Sequence, residues 1–394
     1  MKKQTQAIHL EYERRDAYDS LSVPVYNTLA YEFDNAAVMA EAFTDKIKAP
    51  DYSRVENPTV TNLERRVAAL TDAAHATAFN SGMAAISNTL MALAAQGKNI
   101  VTSKHLFGNT YALLVATLRR FGVKVRLRDL TNIEAVREAI DDDTCCVFLE
   151  ILTNPQLEVA DLKAISEVAH EKNVPLVVDS TVIPFTQFSA KSLGVDIEVV
   201  SSSKYVSGGA TSLGGLVIDY GTPYNGDFAK RLYGEMLFNF GAYMTPQVAY
   251  MQTIGLETLD ARYRVQSGNA LELAKKLRSL PQIKYVNYVG LEDNPYYELA
   301  QRQFGKTAGA MICIDLESKE ACFSFLNNLK LIHRATNLFD NRSLAIHPAS
   351  TIFGAFSESM RKSMDVKDTT IRLSVGLEDV DDLFEDIKQA VNSL

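Results

Sequence analysis

IEVVSSSKYVSGG, residues 197–209, is a mostly apolar, β-branched run that stops at three serines and a lysine and then runs into two glycines. A short run of this kind, closed by small polar residues, reads as a buried strand feeding a loop. PLVVDST, residues 175–181, ends the same way, with Asp179 at the end of an apolar strand. NSGMAA, residues 80–85, reads as a turn in which Gly82 and Met83 open a helix.

The stretches around these three alternate. MAAISNTLMALAAQ (83–96), TYALLVATLRRFG (110–122), NIEAVREAI (132–140) and DLKAISEVAHEKN (161–173) read as helices. KNIVTS (98–103), VKVRLRDL (123–130), CCVFLEI (145–151) and LGGLVID (213–219) read as strands. β-Branched runs alternating with amphipathic helices predict an α/β fold with a mostly parallel sheet covered on both faces. Ligands of such sheets gather at the carboxyl ends of strands. A helix is expected to begin at Thr61, where Thr61 and Glu64 have capping-box spacing. Residues 1–60, interrupted by Pro24, Pro50 and Pro58, read as an extended arm. Residues 61–245 are expected to form the main domain. Residues 246–394 are expected to form a smaller α+β domain, entered through one long helical stretch, 247–281, and including AGAMICIDLE (308–317) and TTIRLSVGLE (369–378).

Composition narrows the function. The 394 residues carry a net charge of −8 and no basic run, which argues against nucleic acid. No stretch approaches the roughly 18 apolar residues of a membrane helix, and the polar N-terminus does not read as a signal peptide. A cytoplasmic protein is expected. Cys145, Cys146, Cys313 and Cys322 sit in apolar runs without a CxxC pair, so they read as reduced buried thiols, and no metal is expected.

The strand ends carry the chemistry. A lysine amine can form an imine with a carbonyl cofactor, and its pKa falls when it is desolvated. Lys204, flanked by Ser201 and Ser203, combines an amine with hydroxyls that can bind a phosphate. Asp179 offers a carboxylate for a pyridine nitrogen that must stay protonated, which is the requirement of pyridoxal 5′-phosphate (PLP). The helix start at Gly82 and Met83 offers free N–H groups to an anion. The bland readings are a solvated lysine, a capping aspartate and an ordinary helix start.

Ordered motifs then point one way. YSRVENPT (52–59), FNSGMAAIS (79–87), HLFGNTY (105–111), EILTNPQLEVAD (150–161), VVDST (177–181), SSSKY (201–205), IHPAS (346–350) and RLSVGLED (372–379) resemble the Cys/Met-metabolism family of PLP enzymes. The resemblance runs from about Tyr52 to Glu378. It implies an aspartate-aminotransferase-type PLP fold, with Lys204 holding the cofactor and Asp179 on its ring nitrogen. It also implies phosphate contacts from Gly82, Met83, Ser201 and Ser203, with Tyr52 and Arg54 reaching the phosphate from a neighbouring chain. Asn154 would lie near the cofactor's phenolic oxygen, Arg372 would clamp the substrate α-carboxylate, and His347 would be structural. A homotetramer, as a dimer of dimers, is implied too.

Two departures matter. Phe107 stands where that family places a ring-stacking tyrosine, and Asn109 where its methionine γ-lyases place a cysteine. Stacking survives and the hydroxyl is lost, although Tyr111 lies four residues on. A carboxylate leaves without protonation, whereas a thiolate leaves better beside an acid. Together with QTIGLETLDAR (252–262) and Asn337, read as substrate-binding, this favours γ-replacement on O-acetylhomoserine. Sulfide or a small thiol would be the second substrate, giving homocysteine or methionine. The alternatives are a methionine γ-lyase, a cystathionine γ-lyase or γ-synthase, or a non-catalytic metabolite-binding protein on the same fold.

Overall fold

A computed structural model describes residues 1–10, 16, 18–44, 46–306 and 308–394. Twelve strands among them form two sheets. The first holds β1 (His75–Phe79), β2 (Asn99–Ser103), β3 (Lys124–Arg128), β4 (Thr144–Glu150), β5 (Leu176–Asp179), β6 (Ile197–Val200) and β7 (Gly215–Asp219), in the order β1-β7-β6-β5-β4-β2-β3. β3, β2, β4, β5 and β6 run parallel, and β7 is antiparallel to both of its neighbours. Alternate side chains of these strands enter two different apolar clusters. Val147, Leu149, Val178 and Val200 go to one, and Cys146, Phe148, Val177 and Val199 to the other. The sheet is therefore apolar on both faces, as its continuous hydrophobic runs require.

The second sheet holds β8 (Tyr285–Asn287), β9 (Met311–Asp315), β10 (His333–Arg334), β11 (Leu344–Ile346) and β12 (Thr370–Ser374), in the order β10-β11-β12-β9-β8. It is antiparallel apart from the β10–β11 pair. The α/β expectation holds.

Several local readings are corrected. The helix expected at Thr61 spans Pro58–Thr71, with Asn57 as its cap accepting from Thr59 N at 3.0 Å. Asn-Pro at the cap and first helical positions outcompetes the later threonine, because proline gives up a donor that would be unpaired there. Glu64, freed from any capping box, is half-buried and accepts from Ala78 N at 2.8 Å. The single long stretch at 247–281 divides into the helices Pro246–Glu257 and Leu259–Leu277, broken at Thr258. The helix after Gly108 passes through a π turn at Leu113–Thr117 and a 3₁₀ turn before Gly122 ends it at φ +79°. β1 was not expected, since its alternation is blurred by His75 and Thr77.

The expected arm contains helices at Lys3–His9 and Ala36–Ala42, while its positions 11–15, 17 and 45 lie outside the described residues. Lys3 anchors the first helix by donating to the Phe185 and Phe188 carbonyls at 3.2 and 2.9 Å. The four cysteines are free. Among the described residues no helix is long and apolar enough to cross a membrane.

Candidate active site

β4, β5 and β6 end side by side, and Glu150, Asp179 and Ser201, at or just past their ends, line one cavity of about 520 Å³. Strand register places Glu150 beside Asp179. The loop after β6 brings Ser201, Ser203 and Lys204 to the same space, and the start of the helix Gly82–Leu93 forms one wall. β12 adds Arg372 from the second sheet.

The helix start is built for close approach. Ser81 caps it, its hydroxyl accepting from Ala84 N at 3.1 Å. A Cβ on Gly82 would stand 2.6 Å from the Cβ of Ser201 and 2.9 Å from its Cα, so glycine alone lets the loop after β6 lie against the helix. Ser201 thereby lies beside the start of a twelve-residue helix, whose first N–H groups have no partner within the helix and suit an anion. Ser203 helps to fold the loop: its hydroxyl donates to Gly214 O at 3.1 Å and accepts from Gly214 N at 2.9 Å. Thr181 supports it from the other side by accepting from Ser201 N at 2.8 Å.

Lys204 donates from Nζ to Asn337 Oδ1 at 2.7 Å. Burial, and secondarily the positive charge of Arg372, lowers its pKa to about 8. A substantial neutral fraction near neutral pH is what an amine nucleophile or base needs. Arg372 is fully enclosed. Its terminal nitrogens donate to Asn154 Oδ1 and to the Asn337 carbonyl, each at 3.1 Å, while its Nε is buried without a partner. Burial lowers its pKa to about 10, which leaves it cationic. A buried guanidinium with an unused donor is a site for a carboxylate.

Asp179 accepts from Thr181 N at 2.9 Å, and its pKa is raised by burial. Glu150 accepts from the Phe107 backbone N–H. Burial first, and then the neighbouring Asp179 charge, pushes Glu150 up to about 8. Among the described residues neither carboxylate forms an ion pair. Two adjacent buried carboxyls cannot both be charged at low cost, so the deeper one, Glu150, carries a proton at pH 7. Asp179 then remains as the carboxylate that a pyridinium can neutralise.

Phe107 and Asn109 line the cavity. Tyr111 does not, and its ring packs edge-on against Phe356 at 5.9 Å. Tyr52 and Arg54 lie outside the cavity of their own chain. Tyr52 is exposed, and Arg54 donates to the Phe238 carbonyl at 2.6 Å. His347 is occupied by Ser350 Oγ and Asp368 O, both at 2.8 Å, away from the cavity. The sequence reading missed Glu150 and Thr181. Glu150 had a visible signal, because it ends the apolar run CCVFLE just as Asp179 ends PLVVD.

The donors fit PLP from end to end: a phosphate cradle at Gly82 and Ser201, an amine of lowered pKa, and a carboxylate without a cation. Residues 4–392 match the sequence profile of the Cys/Met metabolism PLP-dependent enzymes. The chain belongs to that family. It is 37% identical to an L-methionine gamma-lyase of Fusobacterium nucleatum, over 99% of this chain and 98% of that one. It is 32% identical to an O-acetyl-L-homoserine sulfhydrylase of Corynebacterium glutamicum, over 98% and 95%. A crystal structure of a putative O-acetylhomoserine (thiol)-lyase from Campylobacter jejuni superposes with a TM-score of 0.95 at 34% identity, covering all of both chains. That structure holds an N′-pyridoxyl-lysine-5′-monophosphate. The fold is that of a PLP-dependent Cys/Met-metabolism enzyme, and PLP is the cofactor.

Proposed function

We propose that this enzyme carries out γ-replacement on O-acetylhomoserine with sulfide or a small thiol, releasing acetate and forming homocysteine or methionine. The observation that carries this reading is the cavity lining, which among the described residues of one chain contains Phe107 but no tyrosine, histidine or cysteine. Acetate leaves as a stable anion, whereas a thiolate gains from a nearby acid. A cavity that presents a phenyl ring where a phenol could stand favours the first.

PLP, when bound, supplies an electron sink for bonds broken at Cα, Cβ and Cγ. Arg372 holds the substrate α-carboxylate, and Asn154 and the Asn337 carbonyl fix the plane of its guanidinium. Lys204 binds the cofactor and, once released, takes the proton from Cα and moves protons at Cβ. Asp179 holds the proton on the pyridine nitrogen. Gly82, Met83, Ser201 and Ser203 would hold the phosphate, and Phe107 would pack against the ring. Residues 61–245 then act as the cofactor domain and 246–394 as the domain that brings Arg372 and Asn337. Tyr52 and Arg54, outside their own cavity, complete the phosphate site of a neighbouring subunit in a dimer that can pair into a tetramer.

Elimination from methionine is the second reading, favoured by the 37% identity to the Fusobacterium lyase. One assay separates the two. Purified holoenzyme is given O-acetylhomoserine with sulfide, or methionine alone, and homocysteine and 2-oxobutyrate are measured. Faster homocysteine formation supports replacement. Faster 2-oxobutyrate release from methionine overturns it. Phe107→Tyr is expected to raise elimination relative to replacement, by up to the roughly 10²–10⁴-fold that a positioned acid contributes.

A further inference from the structure

His105 sits two residues before Phe107, in the loop that leaves β2, and is 5% exposed. Its backbone N–H donates to Ser103 Oγ at 2.9 Å. Its ring joins two distant carboxylates, with Nδ1 at 2.5 Å from Glu158 Oε2 and Nε2 at 2.7 Å from Asp365 Oδ2. An ionised carboxylate only accepts, and a neutral imidazole has one N–H to give. Both bonds together therefore call for the imidazolium. Lys104 also binds Asp365, at 2.7 Å, and helps to keep it ionised.

The three segments meeting at this ring each lead to the active site. The His105 loop runs into Phe107. Glu158 closes the loop that carries Asn154, with Thr153 N donating to the Glu158 carbonyl and Glu158 N donating to Thr153 Oγ1, both at 3.0 Å. Asp365 lies seven residues before Arg372, and Gln156 Nε2 ties the Asn154 loop to the same turn through Met364 O at 2.6 Å. We propose that His105 is a positioning residue that, as a cation bridging Glu158 and Asp365, holds Phe107 and Asn154 in register with Arg372. Losing its proton loosens the α-carboxylate clamp.

Among the described residues, the charged and titratable groups that act on the ring are Lys104 on its own loop, Asp129 after β3, Glu158 and Asp365, with Tyr296 acting on Glu158 and Asp129. Lys367 is engaged by Asp315. Burial, and less strongly the charge of Lys104, work against protonation, but the hydrogen bonds of Glu158 and Asp365 and the charge of Glu158 outweigh them and raise the His105 pKa above 6.5. A raised folded value means that the bridge is intact at and below 6.5 and is lost as pH climbs through that higher value. The inference goes beyond the choice between replacement and elimination, because either reaction needs the clamp.

The test uses holoenzyme and L-norleucine, an amino acid without a leaving group, with binding read from the cofactor absorbance across pH 6–9.5. Wild type is compared with His105→Gln, which keeps an amide donor but cannot titrate. The substrate amine and Lys204 titrate in both proteins, so the difference between the profiles isolates His105. At pH 6.5 the variant should bind norleucine about tenfold more weakly, the size expected for losing one charge-assisted hydrogen bond. That gap should close as pH rises, and in a separate turnover assay with O-acetylhomoserine and sulfide KM should follow it while kcat changes less. If His105→Gln is not recovered folded, Asp365→Asn carries the same expectation, since Asp365 has an exposed side chain. A constant gap across the pH range, or none, overturns the proposal.

Discussion

Glu150 offers a quantitative test of the charge arrangement beneath the cofactor. The residue is 6% exposed, and its carboxyl is pushed from 4.5 to about 8 by burial and the adjacent Asp179. Between those two pH values the folded apoenzyme keeps a proton that the unfolded chain has lost, so stability falls as pH rises. Each pH step costs about 1.36 kcal/mol. Glu150 should therefore lower apoenzyme stability by about 3 kcal/mol between pH 4.5 and 7, and by about 5 kcal/mol once pH passes 8. Glu150→Gln is close in shape, can accept from the same Phe107 N–H, and has nothing to titrate. With about 2.1 cal/mol/K of unfolding entropy per residue over 394 residues, 1 kcal/mol corresponds to about 1 °C in Tm. Thermal unfolding of wild-type and Glu150→Gln apoenzyme at pH 5, 6, 7 and 8 should thus show a gap that widens in favour of the variant, by about 4 °C from pH 5 to 8. A gap that does not widen means Glu150 is ionised in the fold. Should Asp179→Asn show the widening instead, the proton resides on Asp179 and the roles of the pair are reversed.

Two other substitutions probe the cofactor site. Gly82→Ala should weaken PLP binding at least about tenfold in a fluorescence titration while leaving apoenzyme secondary structure intact, because overpacking costs about 1–3 kcal/mol and the new methyl meets Ser201 at 2.6 Å. An unchanged dissociation constant would show that the loop after β6 moves aside freely. Mixing Arg54→Ala with Lys204→Ala subunits should restore part of the activity each lacks alone, since a hybrid dimer holds one site free of both defects. If subunit exchange is verified and no activity returns, the shared-site arrangement fails.

What the sequence revealed depended on distance along the chain. Asp179, Lys204 and Gly82 were readable because each interrupts an apolar run where a strand or helix ends, and such interruptions are local. Glu150 carried the same mark but lay within a longer motif and was read as part of its strand. His105 had no local mark, because its partners lie 53 and 260 positions away. The binding role read for Asn337 rested on a motif. Its contacts with Lys204 and Arg372, 133 and 35 positions away, appear only when the two sheets are brought together. The early helix start was lost to Asn57-Pro58, a stronger cap four residues upstream of the threonine that was chosen. β1 was lost because an edge strand with one reversed neighbour need not show the unbroken apolar run of a central one.

The electrostatics follow from these positions. The chain is acidic overall, at −8, yet its cavity holds two buried cations, Lys204 and Arg372, against one carboxylate, provided Glu150 is neutral. PLP brings a phosphate and the substrate a carboxylate, so both ligands are anionic where they meet the protein. A second ionised carboxylate beside Asp179 would offset that attraction. It would also repel the electron density that the ring must take up as an electron sink. Placing Glu150 at the most buried end of β4, with the Phe107 backbone N–H on its carboxyl, resolves the conflict. The acid remains neutral while it anchors the start of the helix behind Phe107. In the proposed site the same side chain thereby sets both the charge beside Asp179 and the position of Phe107. A glutamine at 150 preserves both functions and removes the pH dependence, whereas an alanine removes the anchor as well.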